Sequence, residues 1–163
     1  MLSVKILIKT ERKKRKMIQA NQFVRCHLPE GKKSILSPEQ LEEGKRRLVS
    51  QALGWLNFDE TARAQWLGTK TDLLEIVRYV YESQLVVAKD GRPASFRWLA
   101  MMFAQKLHTS FADDTLYRLS YQAESRKGVI MPTMLWRYTW RMFVAMNPDP
   151  LQNLVVCLSP HKA

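Results

Sequence analysis

Apolar residues recur at helical spacing in run after run of this chain, and each run opens on a residue type that caps helices. Phe96, Leu99, Ala100, Phe103 and Leu107 stand at i, i+3, i+4, i+7 and i+11 behind Ser95. That spacing gathers all five on one side of a helix. Ser37-Pro38-Glu39-Gln40 starts another, with a Ser N-cap, Pro at the first helical position and Gln at the capping-box position. Leu41, Leu48, Ala52 and Trp55 then share a face, with Gly44 a modest weakness. Thr69 or Thr71 opens a third helix, whose stripe of Leu73, Ile76, Val77 and Val80 has Leu74 and Tyr81 beside it. An apolar arc that wide belongs at the centre of a core. The last helix begins near Pro132 and keeps Met134, Leu135, Tyr138, Met142 and Ala145 together, turning Trp136, Arg137, Trp140 and Arg141 the other way. Asn147-Pro148-Asp149-Pro150 ends it, because proline cannot continue the hydrogen-bond ladder.

Between these runs, Asp59 is placed to cap a short helical turn reaching Trp66, ended by Gly68. Residues 85–93 combine a β-prone stretch with an Asp90-Gly91 turn, the pattern of a small hairpin or one edge strand. Residues 151–158 are apolar and suit a returning strand or a docked extension. The expected architecture is mostly α: a helix-turn-helix or winged-helix-like domain over residues 37–146, with a small β-hairpin. A basic N-terminal arm (1–36) precedes it and a C-terminal tail (147–163) follows, which 163 residues accommodate as one domain. No stretch approaches the ~20 apolar residues of a membrane span. Two cysteines and eight methionines point to a reduced, cytoplasmic setting.

The net charge of +11 is uneven: most of it falls in the first 48 residues, densest at Arg12-Lys13-Lys14-Arg15-Lys16. Such a cluster neutralises phosphates or acidic surfaces and makes association salt-sensitive, although a solubilising terminus has the same composition. The helix expected over 113–127 concentrates the recognition chemistry. Leu116, Leu119, Ser120 and Ala123 form its inner face, so Arg118, Tyr121, Gln122 and Ser125 point outward. Asp113 or Asp114 can cap its start, Arg126 and Lys127 occupy its last turn, and Gly128 stops it. With the helix over 96–107 it makes a helix-turn-helix-like pair.

On this pattern Arg118, Gln122 and Ser125 are expected to read base edges in the major groove of double-stranded DNA, with Tyr121 against sugar or phosphate. Arg126, Lys127, Arg137 and Arg141 are expected to contact phosphates. An ordinary solvated helix carries the same pattern. The competing expectation is a helical interaction module without DNA binding, docking a second copy or a protein partner through Trp136 and Trp140.

Other chemistry finds little support. Cys26-His27 and Cys157 with His161 are metal-ligand types, but the pairs lie far apart and adjacent Cys26 and His27 chelate one ion poorly, so no metal or cofactor is expected. The chain has no phosphate-cradling Gly loop and no Gly-x-Ser-x-Gly elbow. Asp72 with Glu75, and Asp113 with Asp114, fall in first helical turns, where carboxylates favour the helix N-terminus anyway. The chain is not expected to be an enzyme.

Trp66, Lys70, Leu73, Glu75, Ile76 and Tyr79, followed by Phe103, Phe111, Tyr117-Arg118, Arg126-Lys127 and Met134-Leu135, resemble in order and spacing the RteC family of conjugative-transposon regulators. The resemblance covers roughly residues 66–143. It implies a helical, winged-helix-like DNA-binding module that regulates transcription of a mobile genetic element. Met131-Pro132, where the family commonly carries an Arg-Thr pair, and the tryptophans Trp136 and Trp140 depart from its pattern.

Overall fold

The computed structural model describes residues 36–59, 64–124 and 132–157, and the basic run at Arg12 to Lys16 lies outside them. In chain order the elements are α1 (Pro38–Leu56), β1 (Ala64–Trp66), α2 (Lys70–Ser83), α3 (Phe96–Lys106), α4 (Asp113–Glu124), α5 (Met134–Phe143) and β2 (Val155–Cys157). The protein is mostly helical, with one small antiparallel sheet among the described residues.

Four of the helices start where a side-chain oxygen takes up an orphan backbone N–H. The capping box of α1 is complete: Ser37 Oγ accepts from Gln40 N at 3.2 Å, and Gln40 Oε1 accepts from Ser37 N at 2.8 Å. Thr69, Ser95 and Thr133 do the same for α2, α3 and α5. Each such cap stabilises its helix by about 1 kcal/mol.

The third helix expected from sequence is the centre of the molecule. Leu73, Leu74, Ile76, Val77 and Val80 of α2 are completely enclosed, and α1, α3, α4 and α5 all pack on it. A fully buried aliphatic side chain is worth roughly 1.5–3 kcal/mol over its exposed state, so this helix anchors the fold. Against it stand Leu48, Ala52 and Trp55 of α1 and Leu99, Ala100 and Phe103 of α3. Gly44 is less a weakness than a fit: a Cβ there would lie 2.0 Å from Thr139 Oγ1, so its bareness lets α1 approach α5.

Residues 64–66 correct the expectation of a helical turn before Gly68. Ala64, Gln65 and Trp66 pair with Cys157, Val156 and Val155 as a two-stranded antiparallel sheet. Trp66 N donates to Leu107 O at 2.9 Å and Leu67 N to Leu154 O at 2.8 Å, so partners distant in the chain satisfy this backbone. Three residues are too few to reveal a period of two. Residues 147–157, set apart as a tail by the proline-rich break, return to the body: Leu151 and Leu154 are buried in the core ahead of β2. The segment expected to turn at Asp90-Gly91 does so, with one bridge between Val87 and Pro93 and Gly91 at φ +79°. No helix among the described residues is long and apolar enough to cross a membrane.

Candidate nucleic-acid interface

Helix α4 lies on α2 with Leu116 buried and Leu119 and Ser120 half-buried beneath it. Phe111, buried just before its first turn, fixes the approach. The opposite side carries Tyr117, Arg118, Tyr121 and Gln122, all exposed. The two tyrosines are 63% and 71% exposed, so the ridge is open to solvent over residues 117–122. The side chains of residues 113–115, 123 and 124, and all of Ser125, Arg126 and Lys127, lie outside the described residues. The sequence expectation of an outward Arg118, Tyr121 and Gln122 therefore matches their placement, while its extension to residue 127 falls beyond what is described.

The brace under α4 differs from the helix-turn-helix-like pair. Its main neighbour is α2, because α3 uses Leu99, Ala100 and Phe103 against α2 and α1. The outer side of α3 instead shows Trp98 and Met101 to solvent. These residues, with Met102, Gln105, Ser110 and Phe111, line a shallow groove of about 450 Å³.

Arg137, expected on the solvated side of α5 as a phosphate contact, is corrected by its burial: it is 1% exposed and ion-paired with Asp72, itself 1% exposed. Two charges enclosed together offset each other's desolvation, and neither is available to DNA. The signal was in the spacing. Met134, Arg137, Tyr138 and Met142 stand at i, i+3, i+4 and i+8, which makes Arg137 part of the core-facing stripe. A cation in that stripe requires a carboxylate opposite, and the first turn of α2 supplies one.

Glu75 is the residue that sequence reasoning placed least well. It is 3% exposed and reaches across to α5, where Oε1 accepts from Leu135 N at 3.2 Å; the same oxygen accepts from the Tyr79 hydroxyl of its own helix at 3.4 Å. Its charge faces the positive end of α5, the favourable orientation for a helix dipole. Burial, and then the Glu75 charge beside it, push the Tyr79 hydroxyl well above its ordinary pKa. Asp72 and Glu75, read as serving the start of their own helix, thus also hold α5 in place.

Arg141 is half-buried with its Nε enclosed. Trp136 and Trp140 are half-buried and stacked on each other, ring centres 6.4 Å apart and planes 17° from parallel. Cys157 is exposed at the end of β2, while Cys26, His27 and His161 fall outside the described residues. Among the described residues no cluster of His, Cys, Asp or Glu could hold a metal ion. The charge is also informative. The described residues hold as many acidic as basic side chains, so the chain's excess of +11 resides on the rest. Compared with family models, curated proteins and solved structures, the chain matches none of them.

Proposed function

We propose that this chain is a cytoplasmic DNA-binding transcriptional regulator of a mobile genetic element, using α4 as its recognition helix in the major groove. The observation that carries the reading is the outward row of Arg118, Tyr121 and Gln122 on a helix seated firmly on α2. Hydrogen-bonding side chains on an exposed helical ridge can reach base edges. Phosphate attraction is assigned to the basic arm and to Arg126 and Lys127, since the described body is electrically balanced. The resemblance of residues 66–143 to the RteC family supports the regulatory role. No cofactor or metal enters this reading.

Fluorescence anisotropy of the full chain on duplex DNA, repeated across a salt series, tests it. Affinity should fall steeply with salt, and a charge-neutralising Arg126→Ala, Lys127→Ala pair should flatten the slope by about two. An absence of duplex binding at low ionic strength rules the reading out. In that event the second reading applies, a helical protein-interaction module. The balanced charge of the body and the exposed Trp98 and Met101 on α3 favour it, and Trp136 and Trp140, half-buried and stacked on each other, belong to the same reading.

A further inference from the structure

Helix α3 carries Trp98, Met101 and Gln105 on its outer side, at i, i+3 and i+7. Just past its end the chain doubles back. His108 takes a left-handed backbone, φ +44°, and two hydrogen bonds close the turn: His108 N donates to Gln105 O at 3.3 Å, and Thr109 N to Ala104 O at 2.9 Å. This is the Schellman arrangement, more often built on glycine. It brings Thr109 and Ser110 into the wall of the groove that Trp98, Met101 and Phe111 also line.

The groove measures about 450 Å³, within the range of small-molecule sites. Its apolar surface is of a particular kind. Trp98 is 43% and Met101 49% exposed, an indole and a thioether that both make favourable contacts with aromatic rings. Its polar groups are an amide and two hydroxyls, on Gln105, Thr109 and Ser110, and these side chains have no hydrogen-bond partner among the described residues. No charged side chain among the described residues lines the groove, so an ionised ligand would give up water there without gaining a counter-charge.

We propose that this groove is a binding site for a small, uncharged, planar heteroaromatic molecule, its rings against Trp98 and Met101 and its hydrogen-bonding edge toward Gln105, Thr109 and Ser110. A carboxamide offers a donor and an acceptor side by side, which pairs with the N–H and C=O of a lactam edge. The site lies on the described body and does not require the chain to bind DNA.

The test is a titration of the full chain with carbostyril, an uncharged planar lactam, followed through the indole N–H signals of its five tryptophans by two-dimensional NMR. The Trp98 signal is identified by its loss in Trp98→Phe. It should move saturably, with a dissociation constant below about 1 mM, while those of Trp136 and Trp140 stay in place. Quinaldate, of similar shape but carrying a carboxylate, should bind about tenfold more weakly. Gln105→Leu keeps an apolar wall and removes the amide, and should weaken carbostyril by about three- to tenfold, the scale of one net hydrogen bond. Gln105 is exposed, so circular dichroism of this variant should be unchanged. No saturable movement at Trp98, equal movement at Trp136 and Trp140, equal affinity for quinaldate, or unaltered affinity of Gln105→Leu each overturns the proposal. So does movement of the Trp98 signal with protein concentration alone, which assigns the groove to a second copy of the chain.

Discussion

Arg137 and Asp72 show how one pair of residues changes the meaning of a helix. Had Arg137 faced solvent, α5 would present a cationic side; instead its guanidinium is enclosed with Asp72, joining the fifth helix to the second. Removing one partner leaves the other charge buried without its opposite charge. Arg137→Leu is therefore expected to destabilise the protein by about 3–5 kcal/mol, read as a lower denaturant midpoint. The double variant Asp72→Leu, Arg137→Leu should recover most of that loss, since an apolar pair of similar volume carries no desolvation cost. A double variant no better than the single one would show that the pair holds the fold by more than mutual neutralisation.

At the scale of elements, α5 is held by contacts from two directions. Glu75 of α2 accepts from its first turn, and Gly44 of α1 lets Thr139 sit flush against the neighbouring helix. Gly44→Ala places a methyl 2.0 Å from Thr139 Oγ1, inside any tolerable contact. Overpacking of this kind costs about 1–3 kcal/mol, outweighing the gain in helix propensity from alanine. Thermal melts should show Gly44→Ala destabilised and Gly44→Ala, Thr139→Ala partly restored; a stabilised single variant would mean the helices separate without penalty. Helix α4 stands apart from this clamp. With one side on α2 and the other in water it has the ordinary burial of a surface helix.

Across the whole molecule, the closing piece is the C-terminal return. Leu151 and Leu154 enter the core and β2 pairs with β1, so residues beyond the proline-rich break complete the body. Leu154→Ala should cost about 2–5 kcal/mol in chemical denaturation, the range for a fully enclosed leucine. A smaller hydrogen-bonded chain reinforces the same closure: the Tyr138 hydroxyl donates to Gln51 Oε1 at 2.8 Å, and Gln51 Nε2 donates to Asp149 Oδ1 at 3.1 Å. Burial, and then the charge of Asp149, raise the Tyr138 hydroxyl from 10.0 to about 12. A raised folded-state value means the unfolded chain releases its proton first. The contribution of Tyr138 is thus complete below about pH 10 and lost as pH climbs toward 12. Tyr138→Phe, which keeps the ring but has no proton to lose, should flatten the fall in melting temperature over that interval; an unchanged alkaline profile would assign the loss to other groups.

The helices were legible from the chain alone because their causes are local. Ser37 with Gln40, Thr69, Ser95 and the 3.6-residue apolar period act within a turn or two, so the sequence contains both the signal and its effect. The outward placement of Arg118, Tyr121 and Gln122 followed from the same period, read from Leu116 on the opposite side. Three features needed the tertiary structure. The pairing of residues 64–66 with 155–157 joins segments about ninety residues apart, and each strand is too short to carry a pattern of its own. The choice of α2 rather than α3 as the support for α4 depended on which apolar faces other helices had already covered. The spacing of Arg137 with Met134, Tyr138 and Met142 marks it as core-facing. That Asp72 stands opposite it is set by the packing of two helices whose paired residues lie 65 positions apart, and the free energy of a buried charge depends on that partner.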